Sequence, residues 1–373
     1  MNGGDPLPYR ASLADYQRQA DLLFKALQSA DEAARWRLKL MHPRFRNRSQ
    51  TEFGQESLTI ADAQSVVARD YGFDSWISLA EFVEIVSQEG PVERFETAVE
   101  AVVAGDVALL KSMLRADPKL SRARSMRRHR ATLLHYVSAN GVETGRQKTP
   151  RTAVAIVKLL LEAGADVDAL ADMYDQKCTT LNLLVSSCHP AEAGLQTALA
   201  ESLVDYGAAL DGADQAGTSP LLMALAFGYH DTAQMLARRA APLISLEAAA
   251  GLGQLEVAER LLAAADGRSR HIAMALAAQH GHTALVRLLL DAGEDPNRFN
   301  PPGFHPHSTP LHQAVLSNHS DVVQLLVARG ARRDVRDSIY DGTPFDWAVH
   351  SGHVNLAPFL RDQGDTESAK GDK

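Results

Sequence analysis

Histidine is the side chain here with the widest chemistry, and it crowds the C-terminal half at His271, His280, His282, His305, His307, His312, His319, His350 and His353. An imidazole can ligate zinc or move protons near neutral pH, but a metal site needs several ligands at fixed geometry. His305-Pro306-His307 has the least accounted-for spacing. It is either half of a metal site or a proline-stiffened loop that displays Phe299 and Phe304. Cys178 and Cys188 match neither a zinc spacing nor a disulfide framework, and they suit a reducing cytoplasm. A basic run, Arg122, Arg124, Arg127, Arg128, His129 and Arg130, offers guanidinium groups to an acidic peptide, a phosphate or a nucleic acid. Its plainer reading is a solvated loop paired locally with acids. No phosphate loop, nucleophile elbow, zinc-protease helix or dinucleotide-binding glycine pattern is present. The expectation is therefore no enzyme, no cofactor and no small-molecule substrate.

The elements that carry these residues repeat. Thr309-Pro310-Leu311-His312-Gln313-Ala314 leads into Val322-Val323-Gln324-Leu325-Leu326, and the opening returns at Thr343-Pro344-Phe345-Asp346-Trp347-Ala348. Taking the threonine as a ruler, the matching positions are Glu96, Thr132, Thr179, Ser219, Ile244, Ile272, Thr309 and Thr343, about eight units with two long and two short members. Threonine or serine caps a helix and proline suits its first turn. Small residues follow (Ala224, Ala249, Ala277, Ala314, Ala348), and a turn glycine such as Gly105, Gly228 or Gly281 ends the first helix. Cys188 takes that turn position in its unit, where a small residue is expected. A second helix shows helical apolar spacing, as in Leu285, Leu288 and Leu289. The steps before Ile244 and Ile272 are too short for a hairpin, so helices should follow one another directly there.

This pattern resembles ankyrin repeats, over roughly residues 93–364. The resemblance implies an all-α solenoid of helix-turn-helix units with short β-hairpin fingers. It also assigns several histidines: His135 and His312 bridge backbone loops, and His282, His319 and His353 follow the turn. The function it implies is protein–protein interaction, as a scaffold or regulator.

Residues 1–92 stand apart from the repeat. Leu13, Tyr16, Ala20, Leu23, Phe24 and Leu27 make one helical stripe, and Asp31 opens a second helix with Trp36, Leu38 and Leu40. An arginine-rich loop spans Pro43 to Glu56. Thr59 with Asp62 forms a capping box, and Ser75 caps a last helix through Leu79, Phe82, Val83 and Val86. The segment from Ala61-Asp62-Ala63-Gln64 to Tyr71-Gly72-Phe73-Asp74-Ser75-Trp76 is similar to one found ahead of ankyrin repeats in bacterial stand-alone proteins, which implies a bacterial cytosolic source. A solenoid needs its end covered, so this small helical domain is read as a cap. The alternative is a DNA-binding helix-turn-helix broken at Gly72. Its recognition helix would carry Asp74, Glu81 and Glu84 and no Lys or Arg, the wrong sign for phosphate. Joined to the basic run, those helices give the runner-up function, a nucleic-acid-associated regulator.

The bulk properties agree with a globular repeat protein. The chain is 45% hydrophobic and 6% aromatic with net charge −8, so non-specific nucleic-acid affinity is not expected. No apolar run is long enough for a membrane helix. Met1-Asn2-Gly3-Gly4-Asp5-Pro6 has no leader-like region, and the tail Asp365–Lys373 is polar enough to be disordered. Inserts at Glu143–Arg151 and Cys188–Gln196 lengthen neighbouring units and either form one composite rim feature or are tolerated loop length.

The resemblance also implies where a protein partner binds. Ankyrin units present a concave face from first-helix positions and finger tips. Here those positions are Ala226 and Phe227, Gly251 and Leu252, Gln279 and His280, Leu316 and Ser317, and His350 and Ser351. Phe227, Leu252 and Leu316 would form an apolar streak flanked by Gln279, His280 and His350, extended by Phe304, Ile339 and Tyr340. The competing reading packs Phe227 and Leu316 between repeats.

Overall fold

A computed structural model describes residues 7–45, 58–211, 219–240 and 244–361. Most of the arginine-rich Pro43–Glu56 loop, the first six residues and the 365–373 tail lie outside the described residues. The chain divides into two compact units, Met1–Gly217 and Thr218–Lys373.

Among the described residues the first unit opens with four helices, Leu13–Gln28, Glu32–Met41, Ile60–Asp70 and Trp76–Val86. Ser12, Asp31 and Ser75 cap three of them through their side chains, and Thr59 with Asp62 forms the expected box. Tyr16, Leu23, Leu38, Val66, Leu79 and Phe82 meet in the core beneath them. Trp36 and Leu40 face outward instead. Three helix pairs follow: Pro91–Ala104 with Val107–Ala116, Leu133–Val137 with Ala153–Glu162, and Thr180–Leu184 with Gln196–Asp205. Glu96 sits inside the Pro91–Ala104 helix rather than at its start, which explains why that unit lacks a capping threonine.

Among its described residues the second unit holds five pairs. Their first helices are Pro220–Ala226, Leu246–Gly251, Gly267–Gln279, Pro310–Leu316 and Pro344–His350. Their second helices are His230–Ala240, Leu255–Leu262, Thr283–Asp291, Ser320–Ala328 and Ala357–Leu360. Within this unit each first helix packs on its own second helix or turn and on the next first helix. Ala249, Ala277, Ala314 and Ala348 are buried at these seams, where the absence of a long side chain permits close approach. Two starts differ from the threonine ruler. Ser245, not Ile244, caps Leu246–Gly251, and Asp266 caps a helix that begins before Ile272. The Leu255–Leu262 helix runs almost directly into the Asp266-capped one, as the short step requires.

The fingers are less regular than the repeat pattern implies. Among the described residues, one strand pair forms, Ala171–Met173 against Gln176–Cys178, antiparallel with Ala171 opposite Cys178. Its two turn residues, Tyr174 and Asp175, are both left-handed, the geometry a two-residue hairpin needs. Elsewhere single bonds close the loops: Ser125 N–H to Ala131 O at 2.8 Å, Asn300 N–H to Ser308 O at 2.8 Å, and Asp337 N–H to Gly342 O at 2.9 Å. Cys188 is not a turn residue. It begins the short helix Cys188–Glu192 and is exposed, because the insert starts a new helix at that point.

Candidate partner-binding face

The Pro-containing motif builds the frame of the second unit. At Thr309, the backbone N–H donates to His312 Nδ1 at 3.3 Å, and the threonine hydroxyl lies 2.9 Å from the same nitrogen. With Nδ1 accepting, Nε2 carries the proton and donates to Gly342 O at 3.3 Å. His312 therefore ties a helix start to the next finger. His135 repeats the first half of this arrangement at Thr132 in the other unit.

A second set of imidazoles satisfies helix ends. The last carbonyls of a helix have no partner within it. His282 donates to Gly251 O at 3.1 Å, His319 to Gln279 O at 3.0 Å and His353 to Leu316 O at 3.1 Å. Each histidine follows the left-handed turn of its own unit and reaches the first helix of the preceding one. His280 donates to Leu225 O at 2.9 Å, while Gln279 and His305 both donate to Ala226 O, at 2.9 and 2.8 Å. The His305 Nε2 atom is committed to that carbonyl. His305-Pro306-His307 is thus an anchor between units, with His307 against Trp347 at a 5.9 Å ring separation. Burial pushes His280 down to about 4, against the upward pull of its Leu225 bond. His271, His282, His307 and His312 are lowered as well, first by burial. The framework imidazoles so affected favour the uncharged form.

What this frame presents is partly as expected. Phe227 and Leu316, at the ends of their helices, are each 47% exposed, and His350 is exposed beside Val349. Tyr340 is 76% exposed and Ile339 accompanies it. Leu252, Gln279 and His280 are half-buried, the last two because their polar atoms bond helix carbonyls. Ala226 and Gly251 are buried, so only the second member of each of those pairs is offered outward. Phe304 is a correction: it is 3% exposed, not displayed. Its N–H bonds Pro301 O at 3.0 Å, and left-handed Gly303 and His305 on either side turn the ring inward.

Two features escaped sequence reasoning. Val349 is 59% exposed, whereas Val315 at the same place in the preceding repeat is fully buried. Asp337 organises the finger bearing Tyr340. Its carboxylate accepts from the N–H groups of Ile339, Tyr340 and Gly342 at 2.7–2.9 Å and from Trp347 Nε1 at 2.9 Å. Burial raises its pKa, but these bonds outweigh it and leave the carboxyl at about 2. An Asp followed by several N–H donors and a Trp ten positions on is the signal that was available.

The basic run in the first unit does not form a uniformly solvated loop. Arg127 and His129 are buried. Arg127 pairs with Glu96 and with Glu143, and its guanidinium lies over the Phe82 ring at 4.8 Å. Arg146 joins Glu96 at 2.6 Å and Glu100 at 2.9 Å. The Glu143–Arg151 insert therefore closes a buried ion network within its own neighbourhood. The Cys188–Gln196 insert is held by Gln196, which donates to Leu184 O and Ser187 O. The Gly72 turn of the supposed helix-turn-helix is occupied: Arg128 N–H bonds Gly72 O at 2.8 Å and Arg127 Nε bonds Tyr71 O at 3.1 Å. No helix among the described residues is long and apolar enough to cross a membrane, and no cluster there could hold a metal ion.

A family model for ankyrin repeats, built of three copies, matches residues 246–337 and 302–370. Ankyrin repeat and KH domain-containing protein mask-1 of Caenorhabditis elegans is 27% identical over 284 residues, covering 73% of this chain and 10% of that protein. Cyclin-dependent kinase inhibitor 2A of Monodelphis domestica is 35% identical over 82 residues, 22% of this chain and 46% of the relative. Cyclin-dependent kinase 4 inhibitor B of Bos taurus is 32% identical over 117 residues, 24% of this chain and 88% of the relative. The chain spans a small part of mask-1 and under half of the Monodelphis protein. All three are animal proteins, so the expected bacterial likeness has no counterpart among them.

Proposed function

Because the chain belongs to the ankyrin-repeat family, we propose that it is a scaffold or regulator that captures a protein partner on the face bearing Phe227, Leu252 and Leu316. One observation carries this: Phe227 and Leu316 stay half exposed although the carbonyls beside them are bonded by side chains from other units. Large apolar side chains held outward on a fixed frame are what a partner's apolar residues cover. Gln279, His280 and His350 border the surface, and Tyr340 extends it from the Asp337-ordered finger. Two relatives are named as inhibitors of cyclin-dependent kinases, so a protein whose activity is changed by capture is a partner class in keeping with the reading. The proposal includes a repeat solenoid over 93–364 and a capping role for 1–92. It assigns no catalysis, membrane span or small-molecule substrate. A cytoplasmic location is in keeping with the exposed free thiol of Cys188. A bacterial source rests on the Ala61-to-Trp76 segment.

The test compares wild type with a Phe227→Asp/Leu316→Asp variant in nuclease-treated pull-downs read by mass spectrometry. Both positions are exposed, so the variant should keep the wild-type unfolding midpoint. A protein retained by wild type alone supports the face. Equal retention by both sinks it.

A further inference from the structure

The basic finger of the first unit has two faces. From Arg122 to Arg130 its residues alternate: Ser125, Arg127 and His129 are buried, while Arg122, Arg124, Met126, Arg128 and Arg130 are exposed. The inner face fixes the outer one. Arg127 is locked in the Glu96–Glu143 network, Asp172 N–H bonds His129 O at 2.7 Å, and Arg128 N–H bonds Gly72 O. Two of the outer arginines are also held through their guanidinium groups. Arg122 Nε donates to Gly164 O at 2.7 Å, and Arg124 Nη1 donates to Leu170 O at 2.6 Å and Arg130 O at 2.9 Å. Both residues line a cleft of about 350 Å³ with Thr132, Asp166 and Ala169. Among the described residues, none of the four outer guanidiniums is ion-paired with a carboxylate.

Four guanidiniums without a carboxylate partner thus share one short loop of a chain of net charge −8. Arg122 and Arg124, held in place beforehand, lose little freedom on binding, and all four guanidinium forks fit carboxylate or phosphate oxygens. We infer that the outer face of the 122–130 finger docks an acidic or phosphorylated segment of a partner protein. One anionic side chain sits in the cleft between Arg122 and Arg124, and another meets Arg128. The site is local rather than a track for a polyanion. Exposed Asp74 follows the Gly72–Phe73 turn that meets the finger, and Asp166 lies in the cleft. A long nucleic-acid backbone would run onto these acids, whereas a short segment fits between them.

The probes are fluorescein-labelled peptides: a glutamate-rich one, a version with a central phosphoserine, and a neutral glycine-serine control, with a short oligothymidylate alongside. Anisotropy is measured on the full chain at low and physiological salt. Both anionic peptides should bind, more weakly as salt rises, and the stronger of the two identifies carboxylate or phosphate as the natural anion. Arg122→Gln/Arg124→Gln should weaken binding about tenfold or more, and Arg128→Gln by a smaller factor. Phe227→Asp should leave it unchanged. The inference is overturned if neither anionic peptide exceeds the neutral control on wild type. Oligothymidylate binding as tightly as the best peptide, or unchanged affinity in the folded double variant, overturns it equally.

Discussion

Arg127 shows what a single residue can hold together. It is buried against two carboxylates and two phenylalanine rings, and the near approach of its stem is possible because Gly72 has no side chain. A Cβ at Gly72 would come within 3.1 Å of the Arg127 side chain, at a φ of +81° that other residues rarely adopt. Arg127→Ala leaves the buried carboxylates of Glu96 and Glu143 to Arg146 as their one remaining shared guanidinium, so one buried negative charge is uncompensated, which costs about 3–5 kcal/mol. A urea titration should show the lowered midpoint. An unchanged midpoint would mean that water reaches both carboxylates. Asp337→Ala should cost about 1.5–3 kcal/mol, since several N–H donors lose one charged acceptor. Below pH 4 the wild-type advantage over this variant should shrink, because stability from a depressed carboxyl is lost as pH falls through its folded value of about 2. Neither role was legible in the sequence. A run of arginines looks solvated until a distant glutamate is known to lie beneath it, and Glu96 occupied a motif position with nothing to mark it as buried.

Helices were the most legible level. Thr59, Ser75, Thr309 and Thr343 all sit at helix starts, because the capping bond is local and needs only neighbours in sequence. The helix capped by Asp266 begins before the motif position since its start is set by that local cap, not by the repeat. The histidine bonds between first helices were legible only in part: position in the unit marked His282, His319 and His353, but their acceptors lie one unit away. These bonds make a prediction for the set. His280 falls to about 4 from the ordinary 6.5, and its neighbours are lowered too, so the unfolded chain binds more protons than the folded one between those values. The stability from these groups is full above pH 6.5 and declines as pH drops towards 4. His280→Gln should flatten that decline, by about 1–3 kcal/mol at pH 5, seen as a smaller acid-induced fall in melting temperature. Parallel curves for the two proteins would show that His280 titrates as in water.

At the scale of the molecule, the repeat sets the first division of the chain, and the ion network complicates it. Sequence reading separates a helical domain at 1–92 from the repeats, since the motif stops there. Yet within the first compact unit the finger that starts at Arg122 is bonded to Tyr71 and Gly72, and Arg127 rests on Phe73 and Phe82. A true spacer domain could be removed without harm. Here a chain starting at Gly90 would leave one side of Arg127 in water, uncover the side of the Pro91–Ala104 helix that meets Trp76–Val86, and lose the finger's two bonds to the carbonyls of Tyr71 and Gly72. It should melt at a lower temperature than the full chain and associate through the exposed surface, by size exclusion and scattering. The same truncation should loosen the finger and weaken capture of acidic peptides, while binding at the Phe227 and Leu316 face survives where the second unit stays folded. A truncated chain that stays monomeric with the full-length melting temperature would show instead that residues 1–92 are a separable domain and that the buried network stands without them.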